Sequence, residues 1–313
     1  MEEVIDLIDL DGHRTTVLRQ QENYSSFRSE IESVMAYLLP IKGRILDYLP
    51  ITLKRDPRIW FATGNYGKVL EFKGFIENSG HLKELLDGLL EFDVPKVPLP
   101  EVDETGSTLY ANSVLKSTQT AAHLSSYVMA EDSGICVPLL GDEPGVYSAR
   151  YFDRNIGRYN PESFVDAGII YHEILSEEGK PESVKTKDAK DFLNKVMLLT
   201  RVMSVVGKHG EVPAYFQTVA TIAEPSGKIA ASGIGTLFGE VVVPNGFSLN
   251  DRESLRALHR DFGYNSIFFV NGKSKDEEQF CSLSDVSISE RLKWNHRSIA
   301  MTRAIIDLLI KLA

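Results

Sequence analysis

Cysteine is scarce in this sequence: two residues in 313, Cys136 and Cys281, far apart and in no CxxC pair. That argues against a disulfide framework and against a cysteine-built zinc site. Long apolar runs are missing too, since none approaches the ~20 residues a membrane span needs. The N-terminus, MEEVIDLIDLDGHR, is acidic and lacks the basic-then-apolar order of a signal peptide. A cytoplasmic location and no membrane partner are expected. Positive charge is in deficit, with 34 Lys and Arg against 44 Asp and Glu and a net charge of −10. Broad nucleic-acid binding relies on basic stripes that neutralise phosphates, so no nucleic-acid partner is expected. A small phosphate ligand stays compatible, because a pocket can be locally basic and bound Mg²⁺ offsets ligand charge. Internal repeats and low-complexity tracts are absent as well, which sets aside repeat arrays.

What is present is an ordinary globular composition, 43% hydrophobic and 25% charged. Residues 1–57 read as a separate N-terminal piece. Val4 to Leu10 and Thr15 to Leu18, joined through Asp11-Gly12, have the pattern of a small hairpin. Phe27, Ile31, Val34, Tyr37 and Leu38 then fall at helical spacing between Ser25 and Leu39. Pro40, Pro50 and Pro57 punctuate the chain before a main body over 58–313. There a strand at Ile59 to Ala62 leads through a glycine-containing loop into an amphipathic helix. An extended stretch follows at Val94 to Leu99, then a helix from Thr108 to Leu124 and a buried strand at Val128 to Ala130. Further on, a helix near Asp191 to Val206 and strands at Ala214 to Ala223, Lys228 to Val243 and Ile267 to Val270 precede a last helix, His296 to Leu312. Strands alternating with helices indicate an α/β fold with a mixed sheet flanked by helices.

Several segments carry candidate chemistry, each beside a plainer reading. The loop Thr63-Gly64-Asn65-Tyr66-Gly67-Lys68 aims backbone N–H groups, a helix N-terminus and one ammonium at a single spot, which suits phosphate. It is no Walker A loop: Ala62 stands where the first glycine belongs and Val69 where Ser/Thr would bind Mg²⁺. Taken alone, an ordinary turn is the favoured reading. Asp132 follows a buried strand, beside Glu131 and before Ser133-Gly134, a position suited to a metal or a catalytic water, or to capping a turn. Glu104 sits in an acidic turn, catalytic or merely solvated. Arg291, Lys293, His296 and Arg297 crowd the head of the last helix, where positive charge opposes the helix dipole. They form either a ligand site or a surface cluster. Phe262 and Tyr264 flank Gly263, as base-stacking rings or as core.

In order along the chain, these segments resemble the inosine triphosphate pyrophosphatase family, enzymes that destroy deaminated purine triphosphates such as ITP and XTP. Thr63 to Lys68 is similar to the family's T-G-N-x-x-K, and Glu104 to Thr108 with Asn112 to Lys116 to its E-T-G-x-T and E-N-A-x-x-K. Ala130-Glu131-Asp132-Ser133-Gly134 and Glu143 to Tyr151 resemble A-D-D-S-G and A-P-G-x-Y-S-A-R-Y. Phe262 to Phe268 resembles F-G-Y-D-P-I-F, and Asn295-His296-Arg297 resembles S-H-R. The resemblance covers Arg58 to the C-terminus. It implies an elongated mixed sheet, two lobes with a nucleotide in the cleft between them, and a homodimer. It implies that Thr63, Asn65 and Lys68 hold the triphosphate, that Glu104 and Asp132 bind Mg²⁺ or position the attacking water, and that Ser133 adds a phosphate contact. Lys68 would also stabilise departing pyrophosphate, which places it with Asp132 and Glu104 among the catalytic residues. Phe262 would stack on the purine, while Arg291, His296 and Arg297 reach base and phosphates. Arg297 aimed at a 6-oxo group would reject adenine, whose amino group offers no acceptor.

Departures from the family pattern gather at the base end: Asn265 for Asp, Ser266 for Pro, Arg291 for Lys and Asn295 for Ser. Asp to Asn trades a charge for a donor, and Lys to Arg a point charge for a planar fork. Residues 1–57 have no counterpart in compact members of the family. Residues 153–190 and 244–261 are longer than the corresponding connectors, and the first is expected to be a loop partly covering the cleft.

Overall fold

The computed structural model describes residues 5–8, 14–17, 21–63, 66–155, 158, 161–179, 182–207, 210–249, 251–258, 263–274, 277–287, 290–291 and 295–313. In chain order the elements are β1 (Ile5–Ile8), β2 (Arg14–Val17), α1 (Gln21–Leu38), α2 (Lys42–Tyr48), α3 (Ile51–Arg55), β3 (Arg58–Phe61), α4 (Tyr66–Asn78) and α5 (Gly80–Leu86). Then come β4 (Glu91–Asp93), α6 (Leu109–Leu124), β5 (Val128–Val137), β6 (Glu143–Pro144), α7 (Tyr151–Asn155), α8 (Pro161–Glu177) and α9 (Glu182–Val206). The chain closes with β7 (Gly210–Ala223), β8 (Ile229–Val243), α10 (Arg252–Leu258), β9 (Phe268–Ser274), β10 (Glu277–Ser282) and α11 (His296–Leu312). A mixed α/β fold with a central sheet and flanking helices, as the alternation implied, is what forms.

Two compact units divide the chain, and β5, β7 and β8 contribute residues to both. The first comprises residues 1–133, 217–237 and 289–313. Its part of the sheet runs β8-β7-β5-β3-β4, with β3 parallel to β4 and to β5. Alternation along the strands sends successive side chains to opposite faces. Ile59, Phe61 and Met129 join a core with α4, α5 and α11, in which Phe27, Met35, Leu38, Ile45, Leu49 and Leu53 from the first 57 residues are also buried. On the opposite face Trp60, Ala62 and Val128 meet Ala121 and Leu124 of α6. The β1–β2 hairpin is antiparallel, with Ile5 opposite Val17.

The second unit comprises residues 134–216 and 238–288. Its strands run β10-β9-β8-β7-β5, with the short β6 antiparallel to β5. Residues 153–190 are not the expected long loop, because α8 and the first turns of α9 lie there. Their register is set by buried aromatics, with Tyr171 of α8 stacked on Phe192 of α9 at 3.9 Å. Arg252 and Arg256 of α10 both bind Glu177 at the end of α8.

The extended stretch at Val94 to Leu99 lies outside the strand ladder, and one strand end needs correction. Regular pairing ends at Asp93, because Pro95, Pro98 and Pro100 cannot donate to a ladder. And β5 does not end at Ala130 but continues through Glu131 and Asp132 to Val137, with Ile135, Cys136 and Val137 buried. The two acids are therefore strand residues, pointing to opposite faces.

Candidate functional site

Strand alternation divides the candidate residues of the first unit into two clusters. On the α4–α11 face stands Glu131, its side chain 5% exposed. Lys68, from the first turn of α4, donates to Glu131 Oε1 in a short ion pair. Ser133, two residues along the same strand face, donates to Glu131 Oε2 at 2.5 Å and shares a 2.7 Å hydrogen bond with Thr218. Arg297 Nε lies 3.7 Å from Glu131 Oε1, while Arg297 Nη1 donates to Glu71 Oε2 of α4 at 3.0 Å. Burial would raise the Glu131 carboxyl, but Lys68, Arg297 and Lys116 outweigh it and hold the group far below the usual carboxylate range. Beside Arg297 the buried His296 is neutral, its imidazole lowered to about 3 by burial and then by the Arg297 charge.

Asp132 occupies the opposite face, under α6. Lys116 Nζ donates to Asp132 Oδ1 at 2.8 Å, and Asn112 Nδ2 to Oδ2 at 3.2 Å. Glu104 Oε1 is 3.5 Å from the same ammonium. Asn112 ties this cluster to the Glu104 turn, because its Oδ1 accepts from the backbone N–H of Gly106 at 2.8 Å. A Cβ at Gly106 would come within 2.6 Å of that oxygen, so the E-T-G glycine is set by a close approach. Helix α6 is fixed there by its N-cap, Thr108, which accepts from Ala111 N at 3.0 Å. Burial is the main influence on Asp132 and holds its carboxyl above the ordinary value, with Glu104 adding to the rise against the Lys116 charge. Burial would lower Lys116, but Asp132, Glu131 and Glu104 together raise it.

Glu104, Asp132, Lys68, Ser133, His296 and Arg297 thus take part in two clusters on one strand. Lys68 pairs with Glu131, and the ammonium at Asp132 is that of Lys116. Thr63 follows β3 just beyond Ala62, and Arg291 lies in the first unit, half-buried. Asn265 belongs to the second unit, buried, its carbonyl accepting from Ser282 Oγ at 3.1 Å. Asn65 and Phe262 lie outside the described residues. Sequence reasoning passed over Glu131, Glu71, Asn112 and Lys116 as site residues. For the last two the signal was available, since an Asn and a Lys four apart on a helix share one face. Nothing in the order of residues pairs Glu71 with Arg297. Of the departures, Asn295 is benign in kind: its side chain caps α11, accepting from Arg297 N at 2.8 Å, as a serine would.

Fold and site together define an α/β protein with paired acid and lysine clusters on the two faces of one central strand. A family model described as the Ham1 family matches residues 59–169. A dITP/XTP pyrophosphatase from Campylobacter concisus is 30% identical over 249 residues, 77% of this chain and 91% of that one. Another from Elusimicrobium minutum is 29% identical over 249 residues, 79% of this chain and 96% of its own length. Among solved structures, a HAM1 protein from Coxiella burnetii shares the fold, with a TM-score of 0.51 and 19% identity over 82% of this chain and 99% of that chain. The chain belongs to the Ham1 family.

Proposed function

We propose that this chain hydrolyses non-standard purine nucleoside triphosphates (ITP, dITP and XTP) between the α and β phosphates, releasing the monophosphate and pyrophosphate. The observation that carries this reading is Asp132, a buried strand carboxylate held by Asn112 and Lys116 and raised above its ordinary value. A raised carboxylate is the better proton acceptor. In the proposed step Asp132 takes a proton from a water whose oxygen attacks the α-phosphorus. The new P–O bond forms as the bond to the β-phosphate oxygen breaks, and pyrophosphate leaves with the electron pair. Lys116 and Lys68 neutralise phosphate charge, Ser133 adds a hydrogen bond, and Arg297 donates to the 6-oxo group while held by Glu71. Thr63 and Asn65 complete the phosphate contacts, with Phe262, Asn265, Arg291 and His296 at the base end. The curated relatives' names, dITP/XTP pyrophosphatase, support the substrate class.

Mg²⁺ fits this donor set. Glu104 and Asp132 converge on one cation, the Lys116 ammonium, at 3.5 and 2.8 Å. Among the described residues no group of three His, Cys, Asp or Glu stands ready for a metal. Mg²⁺ commonly takes one or two carboxylates and completes its shell with phosphates and water. Glu104 and Asp132 would hold it, and when bound it supplies charge neutralisation on the phosphates. We also propose that the chain works as a homodimer, which light scattering after size exclusion would test.

The deciding experiment measures pyrophosphate release with Mg²⁺ from ITP, XTP, dITP, ATP and GTP, for wild type and Asp132→Asn. Release from ITP or XTP that the variant loses is the expected result. No release from any of the five sinks the proposal.

A further inference from the structure

The N-terminal residues left without a role by the sequence pack against the base-end helix through the shared core, and α1 also makes a polar contact with it at Arg303 of α11. Seven residues, two helical turns, separate Arg303 from His296, so both lie on one stripe of α11, about 10 Å apart along its axis. That stripe lies on β8 at backbone contact. A Cβ at Gly235 would fall 1.9 Å from His296 O, and one at Gly233 2.3 Å from Ala300 O. Between these two glycines, Arg303 Nη1 donates to Ile234 O at 2.8 Å. The remaining edge of the guanidinium is taken by α1: Nε and Nη2 donate to the two carboxylate oxygens of Glu30 at 2.9 and 2.5 Å. Phe27, also of α1, lies under the same guanidinium at 5.6 Å.

We propose that α1 is a positioning element for the base-recognition end of α11, acting through the Glu30–Arg303 fork. A two-pronged Arg–carboxylate pair fixes orientation as well as distance. Here it orients a guanidinium whose third contact is the β8 backbone. Rotation or axial slip of α11 would break all three bonds at once and would carry His296 and Arg297 with it. The glycine contacts set how close the helix lies to β8, and the Arg303 fork sets where along β8 it stops. Glu30 and Arg303 are positioning residues, since neither belongs to the two acid clusters. The 6-oxo recognition they would serve rests on the function proposed above.

The test compares wild type with Glu30→Gln, with Arg303→Lys (which keeps the charge and loses the fork) and with the double variant. Glu32→Gln is the control, because Glu32 pairs on the same helix with Arg28 at 3.0 Å and is exposed. Expected are a several-fold rise in KM for ITP and a smaller ITP-to-ATP ratio of kcat/KM, short of the roughly hundredfold loss that a full ångström of misplacement brings. Expected too are little change in kcat, a double variant no worse than the singles, and an unchanged control. Amide exchange over Arg297 to Ala300, followed by mass spectrometry, should quicken in Glu30→Gln and not in Glu32→Gln. A lower melting temperature with unaltered KM, base ratio and exchange would make the pair merely structural and overturn the proposal. If wild type turned over none of the nucleotides, the proposed function would fall, and unchanged exchange in Glu30→Gln would separately sink the positioning role.

Discussion

Lys116 and Glu131 compensate buried charge at the centre of the first unit, each for a different partner. Lys116 is 16% exposed and faces Asp132 at 2.8 Å. Removing one member of a buried pair leaves the other charge uncompensated, at a cost on the order of 3 kcal/mol. Lys116→Met should therefore lower the urea unfolding free energy by about that much, and the double variant with Asp132→Asn should recover part of it. A double variant no more stable than the single would show that the two do not compensate each other. His296 gives the acid limb of stability its direction. Its folded value, about 3, lies below the ordinary 6.5, so the unfolded chain binds the proton first. The contribution is fully present above pH 6.5 and is lost progressively as pH falls from there toward 3. Glu131, held low in the fold, adds a loss of the same sign below the ordinary carboxylate value. Urea midpoints between pH 8 and 4 should fall below pH 6.5, and His296→Gln should flatten the upper part of that fall. A midpoint that rises on acidification would reverse this reading.

Among the elements, α11 is set by its cap and by the strand it lies on. Asn295→Ala should cost about 1 kcal/mol through loss of the N-cap, and Asn295→Ser little. That result would identify Asn295 as a capping substitute. Gly235→Ala places a methyl group against helix backbone, which cannot rotate away as a side chain could, and should cost about 3 kcal/mol. Gly246→Ala, with nothing within 4 Å of the added carbon, lacks this clash but meets a φ of +75°, so its cost should be smaller and local. Thermal unfolding of the two variants distinguishes packing from backbone strain. The helices that replace the expected loop over 153–190 are held by contacts between elements, Tyr171 on Phe192 and Glu177 with Arg252, that length relative to the family's connector does not reveal.

For the molecule as a whole, residues 27–53 are integral to the core of the first unit. Phe27, Met35, Leu38, Ile45, Leu49 and Leu53 are each at most 5% exposed. Burying one such side chain contributes about 1.5–3 kcal/mol, and a whole domain is stable by only about 5–15 kcal/mol. A chain beginning at Arg58 would leave the apolar faces of α4, α5 and α11 in water. We expect it to be insoluble or to melt without cooperativity by circular dichroism; a sharp transition near that of the full chain would refute this. The described residues also contain no helix long and apolar enough to cross a membrane.

How much of this could be read in advance follows the range of the interactions. Local patterns gave the β1 and β2 strands, helix α6, helix α11, the α/β alternation and the order of motifs from Thr63 to Arg297, because propensity and periodicity act within a few residues. Strand continuation through Glu131 and Asp132 was missed, since charged residues interrupt an apolar run and only partners from α4, α6 and α11 let a strand bury them. By itself the sequence determined which acids and lysines the chain carries and the order in which their motifs follow one another. The tertiary structure decided which lysine meets which acid, that Glu71 holds Arg297, and that α1 grips Arg303. Those pairs lie up to 273 residues apart, and their contacts exist only once strand alternation and helix packing have brought the faces together.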